Sequence, residues 1–459
     1  MKLRHAAPIV VSAAALAAVS LALPSSAAAK GPAFGAPVKI TPANGGGYEP
    51  AVFADKFGNL FATAHKENAE LVVSPDGRDP SQVRSQSWNW YSADSGKTWK
   101  NLPAGPAIPA GPVTSADVSS HTFGDEGDMA TDDAGNLYFV DTNVTDINFT
   151  AWHADGRGKI TWTRHLPTVG FGQPLDDRPW VTAHNDGTVF YFGNEGNKNQ
   201  YVLGHSGEAY GNGSGPGRYY VYKSTDGGLT WDHVGIGLKD SGWCRPAAAP
   251  KSKYVYAFCT NDGGKLYSFV SADDGATWNR YDVGTYTSAD GGWDTFPSIQ
   301  VLKDGTVWAF YLDPQNVSSG TPSSARFRAF RSTDHGRHFK EYDVTPPANK
   351  SWQFEYGSLA VSADGKTLGY GVYGRAKQGE PWRVYGTTFK LGKKPVLTSL
   401  DQANPATPTT YTEAPGDFLV ATFDPSNHLS VVWTRVVLAN PTGIQFKSLF
   451  RDIYTARSK

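Results

Sequence analysis

The chain has little cysteine and little charge. Only two of its 459 residues are cysteine, too few for a disulfide scaffold, and no Cys/His cluster has the spacing of a zinc site. Charged residues make up 19% of the chain, and 42 basic residues nearly balance 43 acidic ones. This balance gives no basic surface for nucleic acid or an anionic membrane. We therefore expect neither of those partners, and no metal or organic cofactor.

Long hydrophobic runs are also scarce, and the one that stands out lies at the N-terminus, from Ala6 to Leu23. Lys2 and Arg4 precede it, and small residues of the A-x-A type follow it. The run is short and alanine-rich for a membrane span of about 20 residues, although a membrane anchor is the alternative. The order predicts a secretory signal peptide over residues 1–29 and a secreted, extracellular protein from residue 30 onward.

Turn formers and aromatic residues are abundant. The chain has 50 glycines, 30 prolines, 14 tryptophans, 22 tyrosines and 23 phenylalanines. Many turns together with many aromatic residues indicate many short β-strands. The length remaining after the signal peptide is large for one ordinary domain, but a repeat architecture grows without enlarging a single core.

The two cysteines flank a segment that reads as strand, turn and strand. Lys251 and Ser252 lie midway between Cys244 and Cys259, so an antiparallel hairpin would place the two cysteines opposite each other. An oxidising compartment would allow them to bond. We predict a disulfide between Cys244 and Cys259, with two buried free thiols as the alternative.

A short motif, Ser-x-Asp-x-Gly-x-x-Trp, occurs four times, with Phe replacing Trp in the last copy. Asp and Ser side chains bond nearby backbone amides, Gly supplies a positive φ, and the aromatic residue packs the hairpin onto its sheet. The motif positions are Ser92, Asp94, Gly96 and Trp99; Ser224, Asp226, Gly228 and Trp231; Ser271, Asp273, Gly275 and Trp278; and Ser332, Asp334, Gly336 and Phe339.

These four copies match the Asp box, and at these positions the chain resembles the sialidase (neuraminidase) superfamily of Asp-box, or BNR-repeat, β-propellers. The resemblance implies that the motif forms structural turns on the outer strands of the blades, remote from the catalytic face. It therefore informs the fold and says nothing direct about the chemistry.

A longer repeat consists of a strand, a turn usually carrying Asp and Gly, and an aromatic-rich strand. Its copies begin at Glu49, Glu126, Arg178, Arg245, Phe296, Tyr356 and Asp417. Seven copies give about 61 residues per blade, a reasonable size for four strands and their loops. We predict an all-β, single-domain propeller over residues 30–459, with four-stranded antiparallel blades. Seven blades are favoured. Six, the usual number in sialidases, would result if the first and last copies combined. Even spacing argues against a β-sandwich or an appended lectin domain.

Charged residues and a tyrosine recur where each innermost strand begins, which should be one rim of the central channel. They could pair around the ring and merely close the channel, or they could bind and cleave a ligand. The candidate substrate-binding residues are Glu49, Asp177, Arg178, Arg245 and Asp294, together with the tryptophans Trp243 and Trp293.

The resemblance implies glycan chemistry at this rim. Glu355 and Tyr356, followed by Gly, Ser and Leu, look like the sialidase nucleophile strand, in which a tyrosine is activated by a neighbouring glutamate. Arg178 and Arg245 would hold a substrate carboxylate. Asp125 or Glu126 would be the acid.

One departure concerns specificity. Glu49 stands where sialidases carry the first of three arginines, and Arg383 is only a weak candidate for the third. A glutamate would repel the carboxylate of sialic acid. We expect a monomeric glycoside hydrolase acting on a glycan of unknown identity. A non-catalytic carbohydrate-binding propeller and a polysaccharide lyase are the alternatives.

Overall fold

The structure is a computed structural model. It describes residues 31–42, 46–67, 87–103, 126–142, 147–166, 179–194, 219–232, 236–261, 263–287, 296–318, 321–401, 404–407, 415–416, 418–439 and 449–459. From Gly31 onward the chain forms one unit. None of the described residues forms a helix long and apolar enough to cross a membrane. The helical structure among them is one short 3-10 helix, Pro347–Asn349.

The described residues form 28 strands in seven four-stranded antiparallel sheets. The N-terminal strand is β1 (Val38–Lys39). Blade 1 contains β2 (Gly46–Ala54), β3 (Leu60–Glu67), β4 (Ser87–Ser92) and β5 (Lys100–Asn101). Blade 2 contains β6 (Glu126–Thr131), β7 (Asn136–Thr142), β8 (Ile147–Gly156) and β9 (Lys159–Leu166). Blade 3 contains β10 (Trp180–His184), β11 (Thr188–Asn194), β12 (Tyr219–Ser224) and β13 (Ile236–Gly237).

The remaining four sheets complete the ring. Blade 4 contains β14 (Cys244–Ala248), β15 (Val255–Thr260), β16 (Lys265–Ser271) and β17 (Asn279–Thr285). Blade 5 contains β18 (Ser298–Val301), β19 (Val307–Ser318), β20 (Thr321–Ser332) and β21 (Lys340–Asp343). Blade 6 contains β22 (Gln353–Val361), β23 (Thr367–Arg375), β24 (Arg383–Lys390) and β25 (Thr398–Ser399). Blade 7 contains β26 (Val420–Phe423), β27 (Leu429–Ala439), β28 (Leu449–Arg457) and β1.

The prediction of a seven-bladed propeller is therefore confirmed. The first and last copies of the long repeat do not combine, because β2 and β26 head separate sheets. In each blade the strand that opens the long repeat is innermost and lines a central channel. The ring closes where β1 adds to β28, with Val38 opposite Thr455 and Lys39 opposite Tyr454.

The core lies between neighbouring blades. Between blades 5 and 6, for example, Trp308 and Phe327 form one buried cluster with Phe354 and Tyr370. Each aromatic side chain removed from water in this way contributes about 1.5–3 kcal/mol. Similar clusters occupy every junction of the ring, so each blade is stabilised by the two blades beside it.

The four Ser-x-Asp-x-Gly turns each join the third and fourth strands of a blade, which confirms the predicted outer-hairpin position. In blade 4 the Ser271 hydroxyl donates to Asp273 Oδ1 and accepts the Gly275 N–H, both at 2.8 Å. The Thr277 N–H and hydroxyl donate to the same carboxylate at 2.9 and 2.6 Å. Gly275 has a φ of +84°, and a Cβ there would meet the Phe190 ring at 2.5 Å, so only glycine fits.

The predicted disulfide is confirmed. Cys244 and Cys259 are directly opposite each other on β14 and β15, with their Cα atoms 4.1 Å apart and a bond between their sulfurs. Both side chains are fully buried between blades 3 and 4. The disulfide holds the first residue of the innermost strand β14 in place, and Arg245 is the next residue of that strand.

Neighbouring innermost strands are tied by side chains that accept backbone N–H groups. Asp128 Oδ2 accepts the N–H of Val181 at 3.0 Å, and Ser358 Oγ accepts the N–H of Ala421 at 3.1 Å. Each acceptor lies on one innermost strand and each donor on the innermost strand of the next blade. These bonds satisfy amide groups that have no partner within their own sheet.

Candidate functional site

The channel has two ends, and the chain direction distinguishes them. The upper mouth is the end where the innermost strands begin, and Glu49, Gly127, Pro179, Arg245 and Phe418 lie around it. The lower mouth is the end where those strands finish, and its lining includes Asp55, Asp132, His184, Pro250 and Lys303. The innermost strands, together with the turns of the lower mouth, line an open cavity of about 810 Å³.

Aromatic side chains close the upper mouth. Phe418 precedes β26 of blade 7, yet its ring lies 5.7 Å from Trp180 of blade 3 and 4.9 Å from Phe296 of blade 5. Blade 7 lies across the ring from those blades, so Phe418 must extend over the channel. Trp243 of blade 4 completes the group, 5.3 Å from Phe296. We call these four side chains the aromatic cluster, and within the described residues a gap of about 10 Å³ lies beside Trp180 and Phe418.

Arg245 lies at this gap. Its guanidinium carbon is 3.6 Å from the centre of the Trp180 ring, a close cation–π contact. Its Nη1 is 3.5 Å from Asp128 Oδ2. Burial raises the pKa of Asp128, and the positive charge of Arg245 opposes that rise. Arg245 of the upper mouth therefore stacks on an aromatic ring and forms a buried ion pair with Asp128 of the channel wall.

Glu49 and Tyr356 hold unusual backbone conformations near the starts of their strands. Their φ angles are 53° and 43°, and both lie at a shift of register in an innermost strand. The other non-glycine residues with positive φ among those described all lie in turns or bends. Bulges and strained backbone within strands occur often beside functional sites, where they re-aim a side chain.

The bulge in β22 also affects Glu355. The register passes from Glu355 opposite Tyr373 to Gly357 opposite Val372, so Tyr356 is the extra residue. Strict alternation is broken there, and Glu355 and Tyr356 need not face opposite sides of the sheet. Burial lowers the pKa of Arg375, and the negative charge of Glu355 opposes that change, so these two groups are electrostatic neighbours.

The structure brings only some of the predicted residues together. Glu49 and Arg245 line the same gap, and Glu355 and Tyr356 lie near the start of β22. Trp243 is 3% exposed and belongs to the aromatic cluster, so its indole presents almost no surface to a ligand in this structure. Glu126 begins β6, but its side chain lies outside the described part of the chain, as do Asp125, Asp177, Arg178, Trp293, Asp294 and Asp417.

Sequence reasoning missed three residues at or beside the upper mouth. Trp180 lines the gap, Asp128 pairs with Arg245, and Arg375 is an electrostatic neighbour of Glu355. Asp128 could have been found, because it is a second carboxylate two positions after the start of the second copy of the long repeat. No sequence pattern indicated Arg375, because it lies at the end of the second strand of its blade and the candidates came from the starts of the innermost strands. The weak candidate Arg383 begins the third strand of that blade and pairs with Asp401 at 3.8 Å.

The lower mouth is built differently. Asp133 Oδ2 accepts the N–H groups of Asn185 and Lys251 at 2.7 and 2.8 Å, which joins blades 2, 3 and 4. The fully buried His184 lies 2.8 Å from Asp274 Oδ1 and 3.1 Å from the Ala249 carbonyl oxygen. Within the described residues, no three His, Cys, Asp or Glu side chains are grouped as metal ligands would be.

Comparison with known proteins gives similarity of fold. No protein-family profile and no curated protein matches the chain. Similar solved structures include a GH74 enzyme of Niastella koreensis, with 16% identity, a TM-score of 0.49, and coverage of 87% of this chain and 52% of that one. This chain thus spans about half the length of the GH74 enzyme.

Two further structures are similar over most of this chain. The α-L-arabinanase of Penicillium chrysogenum has 12% identity and a TM-score of 0.43 over 92% of this chain and 98% of its own. The NanB sialidase of Streptococcus pneumoniae has 11% identity and a TM-score of 0.42 over 90% of this chain and 68% of its own. At these identities the similarity concerns the fold alone.

Proposed function

We propose that this chain is a secreted propeller that hydrolyses a glycan at the upper mouth of its channel. The observation that carries the proposal is the pair of bulged, positive-φ residues, Glu49 and Tyr356, near the starts of two innermost strands. Such strain persists only where the surrounding structure enforces it, and a purely structural strand start has no need of it. The disulfide fits an oxidising compartment, which supports export.

The chemistry follows from the residue types. Glycoside hydrolysis needs an acid for the leaving oxygen and a nucleophile or base on the other face of the sugar. In the proposed mechanism Tyr356 attacks the anomeric carbon while Glu355 takes its proton, and the glycosidic C–O bond breaks as the acid protonates the leaving oxygen. Water then attacks the same carbon and gives a proton back to the acid, while the bond to Tyr356 breaks and Glu355 returns the proton to the tyrosine oxygen. Arg245 orients an acidic or hydroxyl group of the substrate by charge-assisted hydrogen bonds. Asp125 or Glu126 supplies the acid, and Glu49 disfavours a sialic acid carboxylate.

The test is a glycan panel with three readouts: reducing-end release, absorbance of unsaturated products, and binding. We expect hydrolysis by the wild type and a loss of at least about 100-fold in turnover for Tyr356→Phe. Tyr342→Phe, on the outermost strand of blade 5, is the matched control and should retain full activity.

Other outcomes would replace the proposal. Unsaturated products would identify a lyase. Binding without turnover, lost in Arg245→Ala, would identify a carbohydrate-binding protein. Hydrolysis that is unchanged in Tyr356→Phe would exclude the sialidase-like role of that tyrosine.

A further inference from the structure

Glu355 and Tyr356 are consecutive in the chain, yet both lie on the face of blade 6 that is turned toward blade 7. Glu355 is directly opposite Tyr373 on β23, and directly opposite residues of an antiparallel pair project to the same face. The Tyr373 hydroxyl donates to the carbonyl oxygen of Thr434 in blade 7 at 3.2 Å. Tyr356 packs against the hydrophobic cluster between blades 6 and 7. The bulge therefore brings the proposed base and the proposed nucleophile to one side of the sheet.

Arg375 lies on this same face, diagonal to Glu355. It is two residues beyond Tyr373 on β23, and it is opposite Gln353, which is two residues before Glu355 on β22. Strand alternation keeps residues two apart on one face. Diagonal neighbours on adjacent strands are within reach of each other when their side chains are long. Burial lowers the pKa of Arg375 and the charge of Glu355 opposes that change, as expected for groups in this arrangement.

Two contacts hold the Arg375 guanidinium in place. Its carbon is 4.3 Å from the centre of the Trp382 ring, which is fully buried. Its Nε donates to Gln353 Oε1 at 2.6 Å, and that amide is buried as well. Neither partner carries a charge. The position of the cation is thus fixed by packing on one side and by a neutral acceptor on the other.

The two charged groups differ in their access to solvent. Arg375 is 5% exposed, so it presents almost no surface to a substrate, whereas Glu355 is half-buried. An arginine keeps its positive charge even when it is buried, and an unpaired buried charge is costly. Glu355 supplies a negative charge that offsets this cost. The arrangement is therefore a partly exposed carboxylate beside a buried cation.

Other charged groups act on this face with opposite signs. Burial raises the pKa of Tyr373, its hydrogen bonds to blade 7 and the positive charge of Arg451 oppose that rise, and the negative charge of Asp401 adds to it. Arg451 and Asp401 thus contribute opposite charges to the surroundings of Tyr373, whereas Arg375 is the cation diagonal to Glu355.

We propose that Arg375 is a positioning residue, which keeps Glu355 ionised and fixed beside Tyr356 so that the carboxylate can accept the tyrosine proton. Its role in turnover rests on the proposed function, but its effect on the charge of Glu355 does not. A protonated Glu355 could not accept that proton, so turnover should fall on the acid side of the pH profile. Arg375 itself exchanges no proton and touches no substrate.

The experiment measures the pH profile of kcat on the glycan that is hydrolysed, and the pH midpoint of the ¹³C resonance of Glu355 Cδ, assigned by its loss in Glu355→Gln. In Arg375→Met both the acid limb of the profile and the NMR midpoint should move to higher pH by about one unit, because the carboxylate loses a neighbouring cation. Arg375→Lys keeps the charge and should cause a smaller shift of both. Lys390→Met is the matched control, since it removes an exposed charge from the lower end of the same blade, and it should shift neither.

A purely structural role for Arg375 predicts a different result. Turnover in Arg375→Met would then fall at every pH while the acid limb and the NMR midpoint stayed in place, and the proposal would be overturned. An equal shift in Lys390→Met would overturn it too. If the wild type hydrolyses no glycan, the proposed function fails, and the NMR midpoint still decides whether Arg375 acts on Glu355.

Glu355→Gln keeps the inference testable if Arg375→Met does not fold. An ionised Glu355 stabilised by Arg375 contributes stability near neutral pH, and that contribution is lost as the carboxylate is protonated. Glu355→Gln should therefore have a lower free energy of unfolding than the wild type near neutral pH, and the difference should shrink as the pH falls. A Glu355→Gln chain as stable as the wild type at neutral pH would overturn the proposal.

Discussion

At the scale of single residues, this chain places strain and buried charge at a few positions of the ring. Glu49 and Tyr356 lie in strands at backbone angles that cost a non-glycine residue about 1–2 kcal/mol. Asp128 and Arg245 are a buried pair. Folding alone favours neither backbone strain nor buried charge, so these four residues are the strongest candidates for a functional role.

The strain at Glu49 can be measured. Glu49→Gly and Glu49→Ala remove the same side chain, but only glycine adopts a φ of 53° without cost. We expect the glycine variant to have the higher free energy of unfolding, by about 1 kcal/mol, in urea denaturation. The same pair at Arg280, an exposed residue of β17, should show the opposite order, because glycine weakens an ordinary strand. A more stable Glu49→Ala would contradict the strain.

Asp274 should make stability depend on pH. Burial would raise its pKa, but Lys223 at 2.9 Å and His184 at 2.8 Å outweigh burial and lower it. A lowered pKa contributes stability above the ordinary value of 3.8, and that contribution is lost as the pH falls through the folded-state value. Asp274→Asn should therefore destabilise the protein at pH 7, and the difference from the wild type should shrink below pH 3.8 in urea titrations.

The control for this prediction is Asp240→Asn. Asp240 pairs with Arg280 at 2.6 Å, but both side chains are exposed, so the pair should contribute little at any pH. A difference between Asp274→Asn and the wild type that stays constant from pH 7 to the acid limit would contradict the assigned contacts.

At the scale of elements, the outer turns join blades as well as strands. The residue before the motif glycine has a positive φ in all four turns; it is Ser95, Gly227, Asp274 or His335. Asp274 reaches His184 of blade 3, and His335 stacks on Tyr254 of blade 4 with ring centres 4.3 Å apart. One turn conformation therefore both closes a hairpin and contacts the preceding blade.

In the blade 4 turn, the serine should contribute more to stability than the threonine. Ser271 is fully buried, and Ser271→Ala would leave the buried Gly275 N–H without its acceptor. We expect a loss of about 1–3 kcal/mol in the free energy of unfolding, measured by urea denaturation. Thr277→Ala removes a hydroxyl that is exposed and should cost less than about 1 kcal/mol. Equal losses would argue against a structural role for the buried serine.

Elements could be predicted from the sequence where a repeat or a local rule governs them. The number of blades was predicted from seven copies of the long repeat. The disulfide was predicted because the turn of a hairpin lies midway between the two cysteines. The aromatic cluster could not be predicted, because Phe418 meets Trp180 and Phe296 only through ring closure. The position of Arg375 beside Glu355 could not be predicted for a similar reason. The two residues lie on adjacent strands, and the spacing of residues within one strand does not show which residues of the next strand they meet.

At the scale of the whole molecule, one short strand from the N-terminus joins the blade formed by the C-terminus. Blade 7 takes three strands from the C-terminus and β1 from the N-terminus. Lys39 pairs with Asp452 at 2.7 Å, Thr41 donates to the same carboxylate at 2.8 Å, and Ile40 is buried beside Ile453. Because β1 is the outermost strand of blade 7, its loss would leave a three-stranded blade with β28 at the edge.

Removal of β1 should expose the edge of β28 and destabilise the ring. A chain that begins at Gly46 lacks β1 and Ile40, whose burial contributes about 1.5–3 kcal/mol, and the hydrogen bonds of the strand contribute about 1 kcal/mol each. Its Tm should be clearly lower than that of a chain beginning at Lys30. A synthetic peptide of residues 30–42 should raise the Tm of the shortened chain in a concentration-dependent manner, because it binds only the folded ring. A scrambled peptide of the same composition should have no effect. If the shortened chain melts at the same temperature as the longer one, β1 does not hold the ring, and blades 1 and 7 are joined by their side-chain contacts alone.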